Sequence, residues 1–246
     1  MATIQCGTVK FENIQGIIFD KDGTLEDSED FLRILGQKRS RIVDARIPGT
    51  GDPLLMAFGI HENILDPTGL LAVGSREENQ IATAAYIAET GRGWLESLNI
   101  ARDAFAEADE LFEQDPTPSP LFVGCLEAIQ VLARGDIKLG ILSADRTERV
   151  RKFVEHYQLG KYIQLQMGVD SGPSKPDPSL FLQACQTLGV KPGATLMVGD
   201  SPADMQMAKN AGAAGCIGIS WRPAGARRLE GAQVAIASLD EIQIFP

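Results

Sequence analysis

Two carboxylates, Asp20 and Asp22, stand two residues apart where the apolar run Ile17-Ile18-Phe19 ends in the stretch FDKDGTL. A plain turn, a calcium loop and a catalytic site built on paired carboxylates all compete to explain them. A calcium loop of the EF-hand kind needs glycine at its sixth position. Counted from Asp20, glycine comes fourth and Leu25 takes the sixth place, so that reading fails. An Asp-Gly hairpin needs a partner strand directly after the turn. TLEDSEDFLRIL looks like a helix start instead, with Asp27 or Ser28 as its cap. The acids from Glu26 to Asp30 are read as a solvated first turn without chemistry. For Asp20 and Asp22, a spacing of two in an extended segment turns both side chains to one side. Two carboxylates of different proton affinity so placed suit general acid–base work.

Other elements bring partners to the same place. KLGILS finishes on Ser143, TLMVGD finishes on Asp200 with Asp204 shortly after, and Lys175 lies in the Gly/Pro-rich loop DSGPSKPDPS. Strands are expected at 17–20, 138–143, 163–167, 195–199, 216–220 and 234–236, apolar as parallel strands buried on both faces are. Helices fall between them. Val150, Phe153, Val154 and Tyr157 form one apolar stripe, with Gly160 as its expected stop; Phe181, Ala184, Cys185 and Leu188 form another, closed by Gly189. This alternation implies an α/β fold with a doubly wound, Rossmann-like parallel sheet. Ligands of such sheets bind beyond the carboxyl ends of the strands. Asp20, Ser143 and Asp200 then share one rim, within reach of Lys175.

Between about residues 26 and 117 the alternation gives way to helical patterning, with Leu98, Ala101, Phe105, Ala108 and Phe112 on one face. The stretch ends in DPTPSP, suited to a linker or hinge. Residues 1–25 and 118–246 are therefore expected to form the α/β core, and 26–117 an inserted helical domain. In that insertion Ser75 and Glu78 form a capping box, which puts Arg76 in an exposed first turn where a substrate carboxylate or second phosphate is a possible partner. The net charge of −10 disfavours nucleic acid and anionic membranes as partners. Without a membrane span or secretory signal, and with four scattered cysteines, a cytoplasmic protein is expected.

FDKDGTL, ILSADR, SKPDP and VGDSPADM, in that order and each on the right kind of element, resemble the four motifs of the haloacid dehalogenase superfamily. The insertion is similar to the helical cap of its phosphoglycolate phosphatase and β-phosphoglucomutase branch. The resemblance implies an Mg²⁺-dependent phosphatase acting on a small phosphate ester. It implies Asp20 as a nucleophile that forms an aspartyl-phosphate, and Asp22 as the acid and then the base. Ser143 and Lys175 would hold the phosphoryl group, with backbone N–H groups around Gly23 and Ala144. Asp20, Asp200 and the Asp22 backbone carbonyl would hold Mg²⁺, supported by Asp204. Charge points the same way: several aspartates facing a phosphate dianion, with one lysine, call for a divalent cation.

Blander roles stand beside these. Ser143 could cap the helix that begins near Thr147, and Asp204 completes a capping box in SPAD. His61, His156 and Trp221 are read as structural. A phosphomutase of the same fold is the main alternative, with a non-catalytic phospho-ligand binder behind it. A signalling receiver module is disfavoured because its acidic site follows a later strand and carries no large insertion.

Overall fold

The computed structural model describes residues 2–114, 118–221 and 230–245, without the side chains at 113 and 114. Part of the expected hinge, residues 115–117, lies outside the described residues. The chain forms two compact units: Met1–Asp27 with Pro120–Pro246, and Ser28–Ser119.

The first unit begins with strands β1 (Ala2–Cys6), β2 (Val9–Ile14) and β3 (Gly16–Phe19). The second unit contributes helices α1 (Glu29–Arg46) and α2 (Gly51–Phe58), the short strands β4 (Ile60–His61) and β5 (Ile64–Leu65), and helices α3 (Leu70–Val73), α4 (Arg76–Glu89) and α5 (Trp94–Gln114). The chain then returns to the first unit through α6 (Cys125–Leu132), β6 (Lys138–Leu142), α7 (Thr147–His156), β7 (Leu165–Met167) and α8 (Pro178–Leu188). It ends with β8 (Thr195–Gly199), α9 (Pro202–Asn210), β9 (Gly215–Ile219), β10 (Val234–Ile236) and β11 (Ile242–Phe245).

Six strands make one parallel sheet in the order β10-β9-β8-β3-β6-β7. The chain winds outward from β3 through β6 to β7, then crosses back to β8 on the other side of β3. The winding reverses between β3 and β8, and a crevice opens where two neighbouring connections leave in opposite directions. Ile17, Ile18 and Phe19 are fully buried in β3 because helices cover both sheet faces, each contributing about 1.5–3 kcal/mol. Ile18 packs with Leu142, Phe181 and Met197, while Ile17 and Phe19 pack on the other face with Leu139, Val150 and Val198.

A second sheet, β11-β1-β2, was not anticipated. Its signal is present in the sequence. Ala2, Ile4 and Cys6 alternate inward, and Gly7, at φ 56°, opens a two-residue turn into β2. These side chains share a core with Ile129 and Leu132 of α6. The end of α7 also differs from expectation. The left-handed conformation falls to Gln158 at φ 54°, while Gly160 sits inside a short 3₁₀ turn, Leu159–Lys161. After α8, Gly189 takes the left-handed cap at φ 71°, as expected.

The second unit packs Val43, Leu54, Phe58, Ile87, Ala101 and Phe105 into its own core. All four cysteines are free and buried. Among the described residues, no helix is long and apolar enough to cross a membrane. Replacing Ile18 with Ala should cost about 2–5 kcal/mol in denaturant unfolding, because neighbours on a fully buried strand cannot close the cavity. Val131→Ala, on the 47% exposed side of α6, should stay within about 0.5 kcal/mol. Equal costs would contradict this account of the core.

Candidate active site

The site starts where β3 stops. The Asp20 N–H donates to the Val198 carbonyl at 2.9 Å, which continues the β3–β8 pairing one residue further and seats Asp20 on the rim. Asp200 follows β8 directly, and Ser143 follows β6, held by its own N–H on Met167 O at 3.0 Å. Two glycines let the acids approach. Gly23 has φ 76°, and a Cβ there would collide with the Asp200 carboxylate. A Cβ on Gly199 would come within 2.5 Å of Asp204 Oδ2.

Lys175 reaches this rim. Its Nζ lies 2.7 Å from Asp20 Oδ1 and 2.7 Å from Asp204 Oδ1, and its side chain is almost wholly buried. Burial alone would favour the neutral amine, but the ion pairs with Asp20 and Asp204 outweigh it and hold Lys175 protonated. Asp204 has both of the roles open to it. It closes the capping box of α9, accepting from Ser201 Oγ at 2.6 Å, and it also pairs with Lys175. Ser143 is not the cap of α7, whose N-cap is Arg146. The Ser143 hydroxyl instead accepts from the Asp145 N–H at 3.0 Å and donates to Asp22 Oδ2 at 3.4 Å.

Asp20, Asp200 and Asp204 each offer an oxygen within 4.8 Å of the others. Three carboxylates around one ammonium leave negative charge in excess, and an all-oxygen set of this kind fits a hard divalent cation. Burial pushes the Asp20 carboxyl up to about 7, with Lys175 opposing and Asp204 adding to the rise. The Asp22 side chain belongs to a different group. Lys21 Nζ lies 2.8 Å from Asp22 Oδ2, 2.6 Å from Glu26 Oε1 and 3.7 Å from Asp145 Oδ2. Glu26 is therefore no solvated helix acid: it is 7% exposed, and burial lifts it to about 7 against the pull of Lys21. Spacing along the chain marks neither Lys21 nor Glu26 for a role at the site. The only hint was a lysine set among acids, which by itself describes many surfaces.

The Gly23 N–H donates to Glu26 O at 3.0 Å, and the lack of a Cβ at that glycine makes room for Asp200. Ala144 lies in the bend after Ser143. Arg76, in the second unit, follows a true capping box at Ser75 and Glu78 but is not an open surface arginine. Its Nη1 sits 2.5 Å from Oδ2 of the buried Asp109, and its guanidinium lies 5.5 Å from the Phe105 ring. Arg39 stacks on the same ring at 4.0 Å and faces Asp109 from its other oxygen at 3.7 Å. His61 and His156 are exposed, and Trp221 stacks on Phe122 and donates to Thr24 O.

A parallel sheet with acids and a lysine gathered at its switch point places the chain among the doubly wound α/β enzymes. Residues 14–212 match the model of the haloacid dehalogenase-like hydrolases, and the chain belongs to that family. It is 27% identical over 215 residues to a phosphoglycolate phosphatase of Pseudomonas syringae pv. tomato, covering 83% of this chain and 69% of the relative. It is 26% identical over 202 residues to an N-acetylmuramic acid 6-phosphate phosphatase of Pseudomonas putida, covering 81% and 80%. The crystal structure of a predicted phosphoglycolate phosphatase from Haemophilus somnus shares the fold, with TM-score 0.68, 18% identity and 95% and 96% of the two chains covered. Its family is one of hydrolases, and the curated relatives named here are phosphatases.

The proton affinity of Asp20 gives the candidate cation site a pH signature. A carboxyl raised from the ordinary range to about 7 in the fold stabilises the cation-free protein below that range and loses this contribution as pH rises through 7. Glu26 adds in the same direction. Without a divalent cation, melting temperature should fall between pH 6 and pH 8. Adding Mg²⁺ should raise it more at pH 8 than at pH 6, and less in Asp20→Asn. Equal shifts at both pH values would contradict the assignment.

Proposed function

We propose that this chain is an Mg²⁺-dependent phosphatase of small phosphomonoesters that carries the phosphoryl group on Asp20. The observation behind the reading is the buried Lys175 ammonium bridging Asp20 and Asp204 at 2.7 Å each, at the switch point of the sheet. Asp20 attacks phosphorus as the ester P–O bond breaks, and Asp22 gives its proton to the leaving alkoxide. Water then attacks the aspartyl-phosphate, with Asp22 taking its proton, and phosphate leaves. Lys175 fixes the attacking carboxylate and balances its charge, while Ser143 and the N–H of Ala144 orient the phosphoryl oxygens. Asp20, Asp200 and the Asp22 backbone carbonyl would hold Mg²⁺, with Asp204 behind them. The bound ion supplies the positive charge that lets a carboxylate approach a phosphate dianion.

The different surroundings of Asp20 and Asp22 support this division of roles. One pairs with Lys175 and the other with Lys21, so the two carboxylates are not interchangeable. Residues 1–27 with 120–246 are proposed as the catalytic core, and residues 28–119 as the cap that selects substrate. The named relatives act on phosphoglycolate and N-acetylmuramic acid 6-phosphate, both phosphorylated acids. Small phosphorylated acids are therefore the proposed substrate class.

A phosphomonoester panel with Mg²⁺ tests the reading. Phosphate should be released from phosphorylated acids without isomerisation of sugar phosphates, and Asp20→Asn should lower turnover by about 10³-fold or more. Parent-like turnover in Asp20→Asn would refute the mechanism. Phosphoryl return to a sugar phosphate would favour the mutase.

A further inference from the structure

Lys21 has no part in the scheme above, yet it is one of the most completely enclosed cations among the described residues, at 3% exposure. Its neighbours on both sides in sequence are the proposed nucleophile and the proposed proton carrier. Its side chain turns to the second of these, lying 2.8 Å from Asp22 Oδ2. Glu26 takes another of its protons at 2.6 Å, and Asp145 lies 3.7 Å away. The turn itself builds this arrangement. The N–H groups of Thr24, Leu25 and Glu26 all point at the Lys21 carbonyl, at 3.3, 2.9 and 3.1 Å, folding Glu26 back over Lys21. Glu26 is pinned in turn by bridges to Asp22 and to Leu121.

We propose that Lys21 is a positioning residue for the proton transfer: it holds the Asp22 carboxyl in the orientation that meets the leaving oxygen. The proposal rests on the reading of Asp22 as acid and base. Glu26 holds the same ammonium at 2.6 Å and fixes where it sits, so Lys21 meets the Asp22 carboxyl from a set direction. Ser143 also reaches Asp22 Oδ2, at 3.4 Å, but its single hydroxyl proton goes to the phosphoryl group in the scheme above, so Lys21 is what anchors that oxygen during transfer. A carboxyl with one oxygen anchored in this way presents its other oxygen in a fixed direction, and small misplacements of a catalytic group are costly.

The test separates orientation of an acid from mere support of the fold. An alkoxide leaves well only with a proton, whereas 4-nitrophenolate leaves readily without one. kcat/KM covers every step through phosphoryl transfer to Asp20, so it reports this difference directly. Parent, Lys21→Met, Lys21→Arg and Asp22→Asn are assayed with Mg²⁺ on glycerol phosphate and on 4-nitrophenyl phosphate. The double variant Lys21→Met/Glu26→Gln, which removes both members of the buried pair, gives the same comparison where the single change disturbs folding. Melting curves accompany each protein.

Lys21→Met and the double variant should lose roughly 10²-fold in kcat/KM on glycerol phosphate and less than about 10-fold on 4-nitrophenyl phosphate. Lys21→Arg should recover part of the alkyl ester activity. A selective loss in Asp22→Asn with none in the Lys21 variants would overturn the proposal for Lys21 and leave the mechanism standing. An Asp22→Asn variant that lost both substrates equally would overturn the acid–base reading itself. Parallel losses on both substrates in the Lys21 variants, tracking melting temperature, would make Lys21 purely structural.

Discussion

A lysine ammonium taken out of water needs matched negative charge close by, and this requirement organises the rim of the sheet. Lys175 meets it with two carboxylates at 2.7 Å. Those two come from different elements: Asp20 from the end of β3 and Asp204 from the first turn of α9. Both can reach one ammonium only because β3 and β8 are neighbours and α9 starts immediately after β8. The demand extends to residues without charge. Gly199 must lack a Cβ for Asp204 to approach, Gly23 must lack one for Asp200, and Ser201 must hold Asp204 in place.

A second ammonium works on the other side of the same short turn. Lys21 satisfies Glu26 and Asp22 together, so the segment from Asp20 to Glu26 carries two separate charge groups within a few residues. Asp20 belongs to one and Asp22 to the other. Two identical side chains thereby enter different electrostatic surroundings, which chemistry using one as nucleophile and the other as proton carrier requires. The second unit repeats the pattern of buried, paired charge, since Arg39 and Arg76 both face the buried Asp109 beside Phe105. That core holds paired charge as well as apolar side chains.

The central sheet was legible because parallel strands covered on both faces must be apolar throughout, as Ile17-Ile18-Phe19 and Leu196-Met197-Val198 are. Asp20, Ser143 and Asp200 were legible as the polar residues at which those runs stop. The hairpin β1–β2 was harder to see because its alternation is short and interrupted by polar residues, and its partner β11 lies at the far end of the chain. Glu26 departs from its expected solvated place for a physical reason. An acid ahead of a helix is usually solvated, and only the backward fold of its own turn over Lys21 buries it. Arg76 was misplaced in the same way: its capping box was local and readable, but Asp109 lies on another helix. Contacts set by three-dimensional closure, not by spacing along the chain, account for each of these differences.

The central claim is that phosphoryl transfer passes through Asp20, and chemical trapping tests it most directly. Acid quenching during turnover of a phosphomonoester with Mg²⁺, followed by borohydride reduction, converts an aspartyl-phosphate to homoserine. Peptide mass spectrometry should then find homoserine at position 20 in the parent protein and nowhere else. Homoserine at another acid, or an unmodified Asp20 in a protein caught while releasing phosphate, would contradict the account.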